Sequence, residues 1–306
     1  MTTETNPPTV PIRATVVAGR WPNVPFVEIP GVIPNGTFPP STATLITGAT
    51  EAVLIDAMHL IDEVQDLGDL IERTGKKLTT IYITHDHADH YLGAGPLLKR
   101  FPEAKLVALP QVIESMKETM EAQTGQWHVL FGDTSVAAGP LPEPLEGDTL
   151  WVDGSAVRVI EVKQADIHPS SIVHVPEIDL VVAGDAIYNE IHPMLGLATP
   201  SEWQDWLETI TLIESLQPKM LVAGHRRPDG DDRAVDTMIS ETRSYIHDFQ
   251  AAFNTATSIE ELVGTMTMKY PHHGNIWSLM FSAASAIGVR EGGPSVTEAV
   301  MAAMSS

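Results

Sequence analysis

The sequence predicts an α/β protein in which a region of packed strands and helices is followed by a helical C-terminal extension. Two short runs rich in β-branched and apolar residues, 42–47 and 52–56, flank a turn at Gly48, which is typical of a hairpin. Between residues 60 and 223, helical and extended patterns alternate, and such alternation is typical of helices packed against sheets. From residue 229 onward the pattern is helical only.

The individual elements follow from local patterns along the chain. Residues 1–41 are rich in proline and are expected to form an N-terminal tail and an extended segment. Apolar residues at helical spacing predict a helix over 60–73, and Gly75 predicts its end. The same criteria predict helices over 92–101, over 111–124 and from an N-cap at Ser201 to residue 216, a long loop over 125–147, and strands over 79–84, 105–109, 149–152, 156–162, 171–175, 180–183 and 220–223.

The C-terminal part of the chain contains four helical patterns, at 233–254, 258–269, 275–287 and 295–304. We therefore expect three regions: an N-terminal segment 1–41, a main α/β domain 42–228 and a helical extension 229–306. The apolar helices after residue 233 could form either a homodimer interface or a cap on the main domain.

Composition excludes several classes of protein and of site. The 306 residues include 40 Asp and Glu but only 18 Lys and Arg, a net charge of -22, which disfavours nucleic acid as a partner because like charges repel. The absence of cysteine excludes disulfides, thiolate zinc sites and iron–sulfur clusters. The sequence shows neither an apolar run long enough to span a bilayer nor the pattern of a signal peptide. We expect a cytoplasmic protein that acts on a small molecule without a membrane partner, and any metal site must use His, Asp or Glu.

The most informative motif follows the predicted strand 79–84. It places three histidines and two aspartates within six residues, in the order His85-Asp86-His87-Ala88-Asp89-His90. In an extended turn, His85 and His87 can converge on one metal ion, while Asp89 and His90 begin the next helix and can turn toward a neighbouring ion. Imidazole and carboxylate ligands suit zinc and are also acceptable to iron or manganese. The alternative is an exposed loop that happens to be rich in histidine, but the order of residues after a strand favours a metal site.

This motif resembles that of the metallo-β-lactamase superfamily of hydrolases. The resemblance covers about residues 42–226 and includes four further segments in the expected order, which are Val53-Leu54-Ile55-Asp56, His168 before Ser170-Ser171-Ile172-Val173, Ala183-Gly184-Asp185 and Ala223-Gly224-His225. It implies a four-layer αββα fold for the domain 42–228, followed by the helical extension.

The resemblance also implies a binuclear metal site. One ion would be bound by His85, His87 and His168, and the other by Asp89, His90 and His225, with Asp185 and a water or hydroxide between them. The use of histidine in the second set is similar to glyoxalase II and the lactonases, and it implies two zinc ions per chain, with iron or manganese acceptable. The segment around His168 lacks the Gly-His-Thr-Pro-Gly form common in the family, and both His174 and Asp166 lie close to it in the sequence. Asp56 either caps the turn after its strand or orients a ligand histidine.

The activity implied by the resemblance is hydrolysis of a small lactone, ester or amide by a metal-bound hydroxide. Asp89 would orient this nucleophile. Tyr188, three residues after Asp185, either donates to the substrate carbonyl, as at this spacing in lactone-hydrolysing members, or is an ordinary aromatic residue that closes a loop. A lactonase or esterase is preferred, and a lactamase stays open. The alternatives are a glyoxalase II-type thioester hydrolase, a mononuclear iron dioxygenase of the same fold and a noncatalytic metal-binding partner protein.

From their positions in the sequence alone, further residues are candidates for the substrate pocket. Each could instead be packed in the core or exposed on the surface, and they are Trp127, His128, Phe131, His192, His272, His273 and Trp277.

Overall fold

The structure is a computed structural model that describes residues 11–21 and 38–293, and it contains two large sheets. The first sheet has six strands in the order β1-β2-β3-β4-β5-β6, with antiparallel pairing among β1, β2 and β3 and parallel pairing from β3 onward. Its strands are β1 (Arg13–Ala18), β2 (Thr42–Thr47), β3 (Glu51–Ile55), β4 (Lys77–Ile83), β5 (Lys105–Ala108) and β6 (Glu143–Pro144).

The second sheet has five strands in the order β12-β10-β9-β8-β7. The pairs β7–β8, β8–β9 and β9–β10 are antiparallel, whereas β10 and β12 are parallel. A separate pair of two-residue strands, β11 and β13, is parallel. These strands are β7 (Thr149–Val152), β8 (Ser155–Val162), β9 (Ser170–Val175), β10 (Leu180–Val182), β11 (Tyr188–Asn189), β12 (Met220–Val222) and β13 (His225–Arg226).

The second sheet is buried on both of its faces. Neighbouring residues of a strand point to opposite faces, so the clusters to which they belong show what covers each face. In β9, Val173 and Val175 belong to the apolar cluster that also contains the strands of the first sheet. Ile172 of the same strand belongs to a second cluster, which contains the large aromatic residues Trp203 and Trp206. The two sheets therefore pack face to face, and helices cover the outer face of the second sheet.

Helices account for most of the remaining described chain, and their bounds agree with the sequence in most places. The first helix ends at Gly75, whose φ of 65° is the left-handed conformation that favours glycine at this position, as the sequence predicted. The helices are α1 (Ile61–Thr74), α2 (Ala88–Tyr91), α3 (Ala94–Arg100), α4 (Pro110–Phe131), α5 (Pro200–Ser215), α6 (Val235–Thr255), α7 (Ile259–Lys269) and α8 (Ile276–Arg290). None of the helices in the described residues is long and apolar enough to cross a membrane.

One strand was missed and two local predictions were wrong. The strand β1 was not foreseen, because its pairing with β2 is a long-range contact rather than a local pattern. The helix α4 continues to Phe131, so the loop predicted from residue 125 begins later. The N-cap of α5 is Thr199 rather than Ser201, and Thr199 and Glu202 hydrogen-bond to each other's backbone N–H groups in a capping box.

The C-terminal helices pack on the second sheet through α5 and the segment before it. Backbone hydrogen bonds join Gly274 to Glu190 and His192, which ties the start of α8 to the loop after β11. His192 lies beneath this junction and is hydrogen-bonded to the hydroxyl of Tyr245 on α6 at 2.9 Å, and its ring lies 5.5 Å from that of His273. The predicted helix at 295–304 lies outside the described residues.

Acid should weaken this junction. Burial lowers the pKa of His192 to about 3 and that of His273 to about 4, whereas both return to about 6.5 in the unfolded chain. Unfolding therefore takes up protons, so their contribution to stability is present above about pH 6.5 and is lost as the pH falls toward 4.

We expect His192→Asn, which keeps a polar atom near Tyr245, to reduce the loss of unfolding free energy between pH 6.5 and pH 4. Urea denaturation of both proteins across this range measures the two slopes. Equal slopes would mean that His192 does not take up a proton on unfolding.

Candidate metal centre

The residues that could bind metal follow the ends of four strands of the two sheets. His85 follows β4, Asp166 follows β8, Asp185 follows β10 and His225 follows β12. The loops are joined by backbone contacts: His85 forms an isolated bridge with Ser170, the N–H of Ser171 donates to Thr84, and the N–H of Gly224 donates to Gly184. The strand ends of both sheets therefore meet at one edge of the sandwich.

Two glycines allow this close approach. Gly184 has a φ of 49°, in the left-handed region, which suits the sharp turn directly before Asp185. A Cβ atom at Gly224 would collide with Oδ1 of Asp185 and with the backbone of Gly184. The Ala-Gly-Asp and Ala-Gly-His segments therefore need glycine for different reasons, and together they bring Asp185 and His225 into contact.

The side chains form two groups that could each hold a metal ion. In each group the potential ligand atoms lie within 4.8 Å of one another. The first group consists of His85, His87, Asp166 and Asp185, and the second consists of Asp89, His90 and His225. The structure thus brings together six of the seven residues predicted as metal ligands.

Two of the histidines are oriented by hydrogen bonds through Nδ1. His85 Nδ1 lies 2.9 Å from Thr84 Oγ1, and His90 Nδ1 lies 3.0 Å from Asp56 Oδ2. In both rings this leaves Nε2 directed toward the other potential ligands. Asp56 also accepts hydrogen bonds from the backbone and hydroxyl of Thr84, and its φ of 58° is unusual for a residue with a side chain. Asp56 therefore orients the ring of His90, which corresponds to the second of the two roles considered for it.

His168 does not lie with these residues, and this corrects the prediction of a third histidine ligand. His168 is exposed, whereas Asp166 is only 1% exposed and its Oδ2 atom lies 3.0 Å from Nδ1 of His87. The reason is the turn after β8, in which Oδ1 of Asp166 accepts a hydrogen bond from the N–H of Ile167. This turn directs Asp166 inward and leaves His168 at the surface.

Asp185 lies between the two groups. Its Oδ1 atom is 3.2 Å from Nε2 of His90, and its Oδ2 atom is 3.1 Å from Nε2 of His225 and 4.0 Å from Nε2 of His85. Burial alone would raise the pKa of Asp185, but the adjacent His225 and His90 imidazoles hold it well below its usual range. Asp185 is therefore a carboxylate that both groups share.

The pKa of His87 also depends on the charges of its neighbours. Burial lowers the pKa of this imidazole, but the carboxylates of Asp166, Asp89 and Asp185 outweigh that effect and raise the pKa to about 9. A histidine held so strongly by carboxylates marks a site that attracts positive charge.

The chemistry of the two groups fits divalent cations. Asp89, Asp166 and Asp185 are at most 3% exposed, and such a concentration of buried carboxylates is unfavourable without positive charge nearby. Several buried polar atoms at this point have no hydrogen-bond partner, and they are Asp89 Oδ2, His90 Nε2, Asp166 Oδ2 and Asp185 Oδ1. Close nitrogen–oxygen distances without hydrogen-bond geometry are what a shared cation would produce. Imidazole nitrogen and carboxylate oxygen suit zinc, iron and manganese.

Tyr188 is part of the same site. Its hydroxyl donates to Oδ2 of Asp185 at 2.9 Å, and its ring stacks on that of His225 with centroids 5.6 Å apart. Burial and the charge of Asp185 raise the pKa of the Tyr188 phenol well above its usual value. The phenol therefore stays protonated and can act as a hydrogen-bond donor at neutral pH.

A cavity of about 230 Å³ opens onto the metal-binding residues. Of the pocket residues proposed from position, Trp127 and Trp277 line it, whereas His128, Phe131, His192, His272 and His273 do not. The sequence analysis missed several residues of its wall, which are Phe38, Pro39, Thr119, Gln123, Gln126, Met194, Leu197, Ser278 and Phe281. Only Phe281 had a local signal, since it lies one helical turn after Trp277 on α8.

Comparison with known proteins identifies the family. The sequence model of the metallo-β-lactamase superfamily matches residues 36–225, which contain every residue of the two groups. The chain belongs to the metallo-β-lactamase superfamily. Its two packed sheets with associated helices form the αββα fold that the resemblance implied, followed by the C-terminal helices. A sequence search of curated proteins found no match.

Solved structures of superfamily members share this fold. A metallo-β-lactamase family protein from Thermus thermophilus is 18% identical with a TM-score of 0.60, over 91% of this chain and 94% of that chain. A metallo-β-lactamase from Pontibacter korlensis is 16% identical with a TM-score of 0.52, over 69% and 88%. The DIM-1 metallo-β-lactamase is 15% identical with a TM-score of 0.56, over 79% and 99%. At these identities the similarity concerns the fold alone.

Measurement of the bound metal tests whether Asp166 or His168 is a ligand. We expect Asp166→Ala to lower bound metal by about one ion per chain, because it removes a ligand from the first group. His168→Ala is the matched control, since it removes a side chain two residues away that is exposed, and it should retain the wild-type content. Elemental analysis of the purified variants measures both. Loss of metal in His168→Ala but not in Asp166→Ala would reverse the assignment.

Proposed function

We propose that this protein is a binuclear metal-dependent hydrolase of a small ester, lactone or amide. The observation that carries the proposal is the sharing of Asp185 by two groups of metal-binding residues at the base of one cavity. A noncatalytic protein would not need such a centre to face a cavity. A mononuclear iron dioxygenase would not need the second group, whose Asp89, His90 and His225 are all present and buried.

The first group would hold one ion through His85, His87 and Asp166, and the second would hold another through Asp89, His90 and His225. When bound, the ions would lower the pKa of water to about 7 and polarise a carbonyl oxygen. The contribution of the chain is to fix the positions of the reacting groups. The hydrogen bonds of Asp56 and Thr84 keep the imidazoles of His90 and His85 in place, so little rearrangement accompanies the reaction.

Asp89 can orient the nucleophilic water. Its Oδ2 atom is buried, lies 3.4 Å from Nε2 of His225 and 3.7 Å from Nε2 of His90, and accepts no hydrogen bond. Asp89 also lines the cavity, so its carboxylate could bind an ion and orient a water molecule that attacks a substrate held there.

Tyr188 can stabilise the negative charge that develops on the substrate carbonyl. Its hydroxyl is directed at Asp185 at the base of the cavity and stays protonated at neutral pH. A small rotation from Asp185 toward the carbonyl oxygen would make it an oxyanion donor.

The activity is tested on panels of small esters, lactones, amides and thioesters. We expect hydrolysis of an ester or lactone by the metal-loaded protein, loss of activity after chelation and recovery on addition of zinc, iron or manganese. A thioester preferred over every ester and lactone would instead favour a glyoxalase II-type reaction. Failure to hydrolyse any member by protein that contains two ions per chain would contradict the proposal.

The role of Tyr188 has its own test. Tyr188→Phe keeps the ring that stacks on His225 but removes the donor, so we expect kcat to fall by about a hundredfold with unchanged metal content. Steady-state kinetics and elemental analysis of the same preparation separate the two effects. An unchanged kcat would remove Tyr188 from the mechanism.

A further inference from the structure

We propose that the cavity selects an uncharged ester or lactone whose remote arm is apolar, and that it rejects substrates that carry a carboxylate on that arm. This inference rests on the proposed hydrolase function and adds the chemical class of substrate. It is based on two observations, which are the apolar side chains that line the cavity and the positions of the Lys and Arg residues elsewhere in the protein.

The wall away from the metal-binding residues is largely apolar. Trp277 and Phe281 lie one turn apart on α8, with ring centroids 5.5 Å from each other, and both are partly exposed. Met194 and Leu197, from the segment before α5, are also partly exposed and line the same cavity. Phe38 joins this wall, with its ring 6.1 Å from that of Trp277. Apolar side chains that stay accessible in a cavity favour an apolar ligand group, because its burial removes both surfaces from water.

The described residues that line the cavity include no Lys or Arg. The sequence also places neither residue type in 1–10, 22–37 or 294–306, so all 18 belong to described parts of the chain. The cationic residue closest in sequence to the site is Arg226, directly after His225. Its guanidinium already has partners elsewhere in the protein. It donates to the backbone carbonyls of Arg227, Pro228 and Gly230 and lies 3.2 Å from Asp232.

His87 and His225 also line the cavity, but as metal ligands they would be neutral imidazoles, and the other charged residues that line it are acidic. Asp89, Asp166 and Asp185 lie at its base, where bound cations would offset their charge. A reacting carbonyl would be held at this end. A carboxylate on the remote arm would instead leave water for an apolar wall with no cationic partner, which is costly. The cavity therefore discriminates by the charge of the arm rather than by the reacting group.

The test uses two esters that differ only at the end of the arm. We expect the metal-loaded protein to hydrolyse 4-nitrophenyl hexanoate with a kcat/KM more than about tenfold above that for the 4-nitrophenyl monoester of adipic acid. Phe281→Ala should lower kcat/KM for the hexanoate ester by about tenfold more than for the acetate ester, which has no long arm. Equal kcat/KM for hexanoate and adipate esters, or a preference for adipate, would overturn the inference and leave the hydrolase proposal intact.

A new cation in the cavity should reverse the discrimination. Gln126 is half-buried on α4 and lines the cavity, so Gln126→Lys should raise kcat/KM for the adipate monoester relative to the hexanoate ester. Gln111→Lys is the matched control, since it makes the same substitution at an exposed position of α4 that does not line the cavity, and its ratio should equal the wild-type ratio. An unchanged ratio in Gln126→Lys, or the same change in both variants, would count against the proposal.

Ligand binding separates this inference from the proposed function. By calorimetry on the metal-loaded protein, 2-octanone should bind more tightly than 7-oxooctanoate, which differs only by a terminal carboxylate. If neither ester is hydrolysed but this order of affinity holds, the hydrolase proposal fails while selection of uncharged ligands is supported. Equal affinity, or tighter binding of 7-oxooctanoate, would contradict the selection itself.

Discussion

The structure depends on the burial of three carboxylates at one point. Asp89, Asp166 and Asp185 are nearly inaccessible and have imidazole nitrogens around them. Nδ1 of His87 and Nε2 of His90 lie 3.0 and 3.2 Å from Asp166 and Asp185 without forming hydrogen bonds. Like charges in such surroundings repel strongly unless positive charge lies between them. Divalent cations would supply that charge, and under the proposed function two ions would share Asp185, which lies within reach of histidines from both groups.

The two-sheet architecture brings these carboxylates together. Each sheet contributes strands whose ends reach the same edge, and the backbone contacts of Ser171 and Gly224 fix the loops against each other. The C-terminal helices then complete the cavity, since Trp277 and Phe281 of α8 form part of its wall. The residues that could bind metal thus lie at the strand ends, whereas the apolar wall combines Phe38, Met194 and Leu197 of the matched segment 36–225 with Trp277 and Phe281 of α8, which lie outside it.

Local sequence was sufficient for the metal motif but not for the whole centre. His85, His87, Asp89 and His90 come from one continuous segment, whereas Asp185 and His225 were predicted from the resemblance of the Ala-Gly-Asp and Ala-Gly-His segments to those of the superfamily. The choice between Asp166 and His168 depended on a turn set by the Asp166–Ile167 hydrogen bond, which the spacing of residues does not reveal. The cavity could not be predicted either, because Phe38, Met194 and Phe281 meet only through tertiary packing. Local patterns identify ligands on one element, whereas long-range contacts decide which residues surround them.

Anomalous diffraction from crystals of the metal-loaded protein, collected at the absorption edge of the bound metal, tests the central claim most directly. The account predicts two anomalous peaks per chain, one among His85, His87 and Asp166 and one among Asp89, His90 and His225, with the carboxylate of Asp185 between them. A single peak, or a first peak bound by His168 in place of Asp166, would contradict it.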